Sequence, residues 1–311
     1  MVRTRVLYGS VMVAALVALL AADAWLSRSD ATGLLSALGG GALTTAAFAL
    51  LALAGGIELC RLCQQAGYRP PTAWSLMMIV VIVVEPWLTS PHGRQILANL
   101  GSGAVRLSHL DGIVPALAIL GIAAVLVWRQ RTAGAIPDFA TGLLAIFYVG
   151  FLGSFAVRMR CWQPGPEGAW LVLATLAIVK ITDIGAYFTG VMVGKRKLIP
   201  KISPGKTWEG LFGGIAASGI VAGVLLGWAL PRGLDQSVLR HLSMAQAVVF
   251  GVLMAIVGQM GDLAESLFKR DSKAKDSAKL VPEFGGVLDL IDSPLAAVPV
   301  GYLLLRWWLG A

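Results

Sequence analysis

The sequence predicts an all-α, polytopic integral membrane protein with about nine transmembrane helices. Three observations carry this reading. Of the 311 residues, 57% are hydrophobic and only 14% charged, against roughly 25% charged in a soluble domain, too few to coat a water-facing surface. Apolar runs near the ~20 residues that cross a bilayer recur along the whole chain. No internal repeat, low-complexity tract or soluble domain interrupts them. The expected organisation is therefore one membrane-embedded domain over 1–311, with N-terminal helices in 1–165 and the polar, chemistry-bearing loops in 166–311.

The spans follow in order. The first, about 6–26, contains VLYGSVMVAALVALLAADAW after Arg3 and Arg5; with no A-x-A cleavage pattern before the next polar break, it reads as a retained helix and not a signal peptide. The second (34–58) precedes Arg61 and Arg69, the third (73–90) precedes His92 and Arg94, and the fourth (112–128) ends at Arg129 and Arg131. The fifth (137–157) ends at Arg158 and Arg160; the sixth (168–189) carries Lys180 and Asp183 inside it. The seventh (208–230), eighth (244–263) and ninth (287–308) flank the two most polar stretches of the chain.

Cys60 and Cys63 form a C-x-x-C without the second pair or nearby histidine of a zinc site, and Cys161 stands apart, so all three read as incidental. His92, His109 and His241 are dispersed among loops and form no metal or proton-relay cluster.

Basic residues orient the chain. With the N-terminus placed in the cytoplasm, 16 Lys and Arg fall on the cytoplasmic side and 8 on the other, Lys180 being within a span. This favours a cytoplasmic N-terminus and an external C-terminus. The net charge of +8 suits anionic lipid headgroups.

The segment GDLAESLFKRDSKAKDSAKLVPEFGGVLDLID (261–292) holds seven of the 17 acids. Its Lys269–Lys279 part reads as a solvated loop, but Asp262 and Asp289 sit at the ends of apolar spans, where an ionised carboxylate is expensive unless paired or bound to a cation. Asp262, Glu265, Ser266 and Lys269 follow i, i+3, i+4, i+7 spacing, so one helix face presents carboxylates, a hydroxyl and an ammonium. Asp289 and Asp292 lie one turn apart after Gly285 and Gly286, which permit close backbone approach. Carboxylates that hold a cation, beside lysines that neutralise phosphate oxygens, suit a metal with a polyphosphate.

The segment KITDIGAYFTGVMVGKRKLIPKISPGKTWEG (180–210) contains GKT, but a Walker A would need glycine at Pro200 and a preceding strand. The expectation instead is Ser203 as N-cap and Pro204 as first helical residue of the next span, an anion site at a helix start strengthened by Lys206. Lys180 and Asp183, three apart, are read with equal weight as a mutually neutralising pair and as site residues.

Together these residues resemble the phosphatidate cytidylyltransferase (CDP-diacylglycerol synthase) family. The pattern S-x-x-K-R, four residues, K-D, a spacer and P-x-x-G-G-x-x-D-x-x-D is met by Ser266, Lys269, Arg270, Lys275, Asp276, Pro282, Gly285, Gly286, Asp289 and Asp292. D-x-x-A-Y-F-x-G, then G-K, then S-P-x-K-T-W-E-G is met from Asp183 to Gly210, and an E-L-C-R-L with G-Y-R-P from Glu58 to Pro70 is similar to a weaker N-terminal feature. Phe284 and Leu290 stand where many members have histidine and arginine, so no role of those two residues carries over.

The resemblance implies transfer of CMP from CTP to phosphatidate with Mg²⁺ and room for a second cation, at a cytoplasm-facing site of an inner-membrane protein. It implies membrane lipids and a homodimer partner, and no nucleic acid. It gives Asp262 and Asp289 the cation, with Asp292 in support. Catalytic roles fall to Asp262, Asp289, Lys269 and Ser266, and substrate contacts to Arg270, Lys275, Asp276, Lys206, Ser203, Asp183, Gly285, Gly286 and Asp292. Two other activities fit the same composition: a CTP-dependent lipid-alcohol kinase, and a transporter, although a transporter's charges belong at the midplane and these cluster at one face.

Overall fold

The computed structural model describes residues 2–27, 39–99, 110–130, 132–163, 165–234, 237–274, 277–278 and 285–310. In chain order the elements are α1 (Val2–Leu26), α2 (Ala42–Gln65), α3 (Thr72–Leu88), α4 (Pro91–Asn99) and α5 (Leu110–Trp128). They continue with α6 (Ala135–Trp162), α7 (Glu167–Val193), a hairpin of β1 (Lys197–Ile199) and β2 (Ser203–Thr207), α8 (Trp208–Gly233), α9 (Met244–Asp271) and α10 (Val287–Leu309). The all-α membrane class is thus the observed one, and each expected span overlaps one helix.

Two details differ from expectation. Among the described residues six helices are long and apolar enough to cross a membrane, or seven if α3 and α4, bent 94° apart, count as one broken span. The first and fourth expected spans coincide with α1, of 25 residues, and α5, of 19, in which the apolar stretches Ser10–Leu26 and Gly112–Trp128 stand outside that count. Among the described residues length and apolarity support six or seven spans, so the count of nine is not confirmed. Of the second expected span, residues 34–38 lie outside the described residues; α2 starts after Gly41, whose φ is +96°, and it runs on past Glu58 because Leu59 and Leu62 are buried.

The helices divide into two compact units, Met1–Ala169 with Asp271–Leu290, and Trp170–Arg270 with Ile291–Ala311. In the first, Met78, Ile82, Val114, Ala118, Ile122, Leu126 and Ile146 form an apolar core flanked by Trp74, Phe147 and Phe151. Its intramembrane charges are paired, as their desolvation demands: Arg160 Nε donates to Asp23 Oδ2 at 2.5 Å, and Arg158 lies 2.9 Å from Glu85.

In the second unit the helices meet through small residues, the packing that membranes favour where no hydrophobic force drives association. A Cβ on Gly214 of α8 would lie 2.7 Å from Thr182 O of α7. Ser218 Oγ of α8 donates to Gly251 O of α9 at 2.8 Å. Between α9 and α10, a Cβ on Gly261 would lie 2.6 Å from Asp292 O and 2.8 Å from Ala296 Cβ.

The expected helix start at Ser203 is corrected. Ser203 lies in β2, paired with Ile199 in an antiparallel hairpin, and Thr207 is the N-cap of α8, its Oγ1 accepting from Gly210 N at 3.1 Å. Glu209 in the first turn accepts from Lys195 N at 3.1 Å and Arg196 N at 3.2 Å, and Trp208 N donates to Arg196 O. Thr207 outcompetes Ser203 because the strand pairing already satisfies the backbone ahead of it, while a threonine with Glu two residues on favours a helix start there.

Candidate active site

The end of α9 carries the densest chemistry. One helix face presents Gln259, Asp262, Glu265, Ser266 and Lys269, at the spacing expected of neighbours on a helix. Glu265 is fully buried and Ser266 nearly so. Lys269 Nζ lies 2.6 Å from Glu265 Oε2, one turn below it, and Ser266 Oγ donates to Asp262 Oδ1 at 3.4 Å.

Two neighbouring elements complete this face. Because Gly261 lets α10 approach α9 closely, Asp292 arrives beside it. Carboxylate oxygens of Asp262, Glu265 and Asp292 all lie within 4.8 Å of one another, the sole such metal-capable group of His, Cys, Asp and Glu among the described residues. Asp292 is itself buried, its Oδ1 accepting from Ser293 N and Ser293 Oγ. From the other side, β2 delivers Lys206, whose Nζ is 2.7 Å from Asp262 Oδ2. The hairpin is tied back to α9 by Arg270, whose Nε donates to Ile202 O at 3.2 Å.

Asp183 on α7 joins the same unit. Its Oδ2 lies 3.4 Å from Lys180 Nζ, and its Oδ1 accepts from Gln259 Nε2 at 3.3 Å. The neutralising pair that the sequence suggested is therefore present, but it is also linked to the turn of α9 just before Asp262. Four carboxylates (Asp183, Asp262, Glu265, Asp292) stand among three ammonium groups (Lys180, Lys206, Lys269). Crowded carboxylates of this kind repel unless cations sit between them, and the three lysines do so here.

Asp289 falls in the first unit, with Gly285 and Gly286. Its Oδ2 accepts from Gly286 N at 2.7 Å, Ser277 Oγ at 2.7 Å and Ser277 N at 3.1 Å. Gly285 has φ +91°, a conformation open to glycine. Lys275 and Asp276 lie outside the described residues.

The sequence puts Glu265 on the face of Asp262 without assigning it a ligand role, and it assigns none to Gln259, Glu58 or Ser277. For Glu265 and Gln259 the spacing was a usable signal. Glu58 and Ser277 meet across 219 residues of chain, which no local pattern reveals.

Three carboxylates with hard oxygen donors, beside lysine charge at a helix end, suit a divalent cation together with phosphate groups. The chain is 38% identical over 162 residues to the phosphatidate cytidylyltransferase of Haemophilus influenzae, covering 52% of this chain and 54% of that one. It is 45% identical over 154 residues to that of Pseudomonas aeruginosa, covering 50% and 52%. To that of Brucella suis it is 39% identical over 194 residues, covering 60% and 62%. The chain thus spans between about half and three fifths of the length of these relatives. The model of the cytidylyltransferase family matches residues 30–308, and on that match the chain belongs to the cytidylyltransferase family.

Proposed function

We propose that the chain catalyses transfer of CMP from CTP to phosphatidate, giving CDP-diacylglycerol and pyrophosphate. The observation that carries this is the meeting of Asp262, Glu265 and Asp292 with Lys206 and Lys269 at one end of α9; the names of the relatives supply the substrate pair. In the reaction an anionic phosphate oxygen of phosphatidate attacks the α-phosphorus of CTP. A new P–O bond forms, the bond from the α-phosphorus to the α,β-bridging oxygen breaks, and pyrophosphate leaves with that electron pair. The nucleophile is already an anion, so no general base is required, and the missing histidine at Phe284 is no obstacle.

Asp262, Glu265 and Asp292 fit Mg²⁺, being three carboxylates within reach of one centre; Asp289 is the further candidate from the sequence. A divalent cation bound there supplies positive charge that polarises phosphate oxygens. The chain's own residues do the rest. Lys206 and Lys269 carry charge to the leaving pyrophosphate, and Ser266 and Arg270 orient phosphate oxygens. Such transfer depends mainly on positioning and fixed charge.

The site faces the cytoplasm of an inner-membrane protein whose N-terminus is cytoplasmic: both polar stretches fall on the lysine- and arginine-rich side, where nucleotide is found. The assembly proposed is a homodimer. Purified protein in nanodiscs given CTP labelled at the α-phosphate, phosphatidate and Mg²⁺ is expected to move label into lipid. Label at the γ-phosphate is expected to leave as pyrophosphate. Lipid labelled from the γ position would establish a kinase instead, and neither label in lipid would overturn the enzyme reading.

A further inference from the structure

Gly286 immediately precedes α10 and has no side chain with which to cap it. The first amides of that helix are nonetheless occupied. Val287 N donates to Glu58 Oε1 at 2.9 Å and Leu288 N to Glu58 Oε2 at 2.8 Å. Glu58 lies on α2, 229 residues away in sequence from Val287, and it is fully buried. Its carboxylate does what an N-cap side chain would do and adds a full negative charge at the positive end of the helix dipole.

The other half of a capping box is present too. Asp289, in the first turn of α10, reaches back to Gly286 N at 2.7 Å, the reciprocal bond that an acidic third residue makes. Ser277 Oγ joins the halves, lying 2.8 Å from Glu58 Oε2 and 2.7 Å from Asp289 Oδ2. A Cβ on Gly286 would overlap both Ser277 Oγ and Glu58 Oε2. The second glycine of the pair is therefore demanded by the approach of this carboxylate.

We propose that Glu58 is a positioning residue for the transfer reaction: a cap supplied by α2 that fixes the start of α10 and, through Ser277, the carboxylate of Asp289. A buried carboxylate is costly unless its oxygens are satisfied, and here two backbone amides, a helix dipole and a share of the Ser277 hydroxyl proton satisfy it. Two backbone amides hold Asp289 Oδ2, and the one Ser277 hydroxyl proton is shared between it and Glu58 Oε2, so a change at Glu58 displaces the Asp289 carboxylate, which the family pattern assigns to the reaction, without touching substrate. The activity arm of the test rests on the cytidylyl-transfer reading; the arm that reads the cap does not.

The test uses the full chain in nanodiscs with Glu58→Gln and Ser277→Ala. Glutamine keeps the size of Glu58 but turns an NH₂ toward at least one donor it must accept from. Glu58→Gln is expected to lower kcat by about 100-fold, the cost of a displacement near 1 Å, with KM for CTP within about threefold of the parent. Ser277→Ala, which removes one hydroxyl and leaves both backbone bonds to Glu58 in place, is expected to lower kcat by about tenfold with the same unchanged KM. Amide hydrogen exchange of the segment 286–292, read without substrate, should accelerate in Glu58→Gln. A merely structural cap would lower the unfolding midpoint and leave kcat of the folded fraction intact. The proposal is overturned if both variants keep kcat within about threefold of the parent, if the loss lies wholly in KM, or if exchange at Val287 and Leu288 is unchanged. A parent protein that makes no CDP-diacylglycerol refutes the transfer reading, and the exchange measurement then still decides whether Glu58 is the cap. Should Glu58→Gln not fold, Ser277→Ala carries the kinetic decision.

Discussion

Lys206 Nζ lies 2.7 Å from Asp262 Oδ2. A two-stranded hairpin between two membrane helices thus sets an ammonium on the carboxylate face of a third. The side chains are 18% and 28% exposed, with Lys206 Nζ itself buried and the Asp262 side open, so the pair contributes modestly to the fold, about 1 kcal/mol. Its value lies in where it places charge, because a lysine held beside carboxylates is ready to meet phosphate.

Lys206→Met keeps the apolar stem and removes the charge. Turnover is expected to fall about 100-fold, the loss typical of one fixed electrostatic contact to a reacting group. The thermal unfolding midpoint should barely move. Labelled-CTP turnover beside a melting curve checks both, and near-normal turnover would remove Lys206 from the site.

Glu265 and Lys269 behave differently, because Glu265 is fully buried and Lys269 only 13% exposed. Removing one partner of such a pair leaves the other charge dry, at a cost of about 3 kcal/mol. Lys269→Met and Glu265→Leu are therefore each expected to lower stability by that order. The double substitution should recover most of the stability, since a buried ion pair replaced by apolar groups is often neutral. It should remain inactive. Denaturant titration of all four proteins in detergent checks this, and simple additivity would show the two residues to be uncoupled.

The fold class was legible because a bilayer imposes its demand residue by residue: a helix exposed to lipid must be apolar along most of its length, and every expected span overlaps a helix. The face of α9 was legible for a similar reason, since Asp262, Glu265, Ser266 and Lys269 are near one another in sequence and a helix converts that spacing into a surface. What escaped notice depends on partners distant in sequence. The start of α8 moved from Ser203 to Thr207 because β1 claims the backbone of β2. Asp292 meets Asp262 only because Gly261 allows α10 to approach, and Glu58 caps a helix more than two hundred residues away. Helix α4 carries no span signal because, at nine residues with four polar ones, its apolar length is too short.

Gly261→Ala tests that approach directly. The added Cβ would lie 2.6 Å from Asp292 O and 2.8 Å from Ala296 Cβ, so α9 and α10 must part. A loss of about 1–3 kcal/mol is expected from the overpacking. Turnover should drop by about tenfold or more, since a shift under 1 Å already disturbs a positioned site. Adding Ala296→Gly removes one of the two clashes and should return part of each. If turnover is untouched while stability falls, Asp292 need not stand where it does.

Cation dependence separates the carboxylates. Chelation with EDTA is expected to abolish turnover and Mg²⁺ to restore it, because the donors are hard oxygens. Asp262→Asn, Glu265→Gln and Asp292→Asn each remove one charged oxygen ligand. Each should weaken Mn²⁺ binding at least about tenfold, a change of 1.4 kcal/mol, measured by electron paramagnetic resonance without CTP. Asp289→Asn should abolish turnover in a folded protein, and its Mn²⁺ affinity is the informative quantity. Loss of binding there, equal to that in Asp262→Asn, gives Asp289 the direct cation role that the D-x-x-D pattern suggested. Retained Mn²⁺ binding would take Asp289 out of the ligand set and leave Asp262, Glu265 and Asp292 to hold the ion. Mn²⁺ binding undiminished in all four variants would dismiss the α9 carboxylates as a cation site and, with them, the charge arrangement on which the transfer mechanism stands.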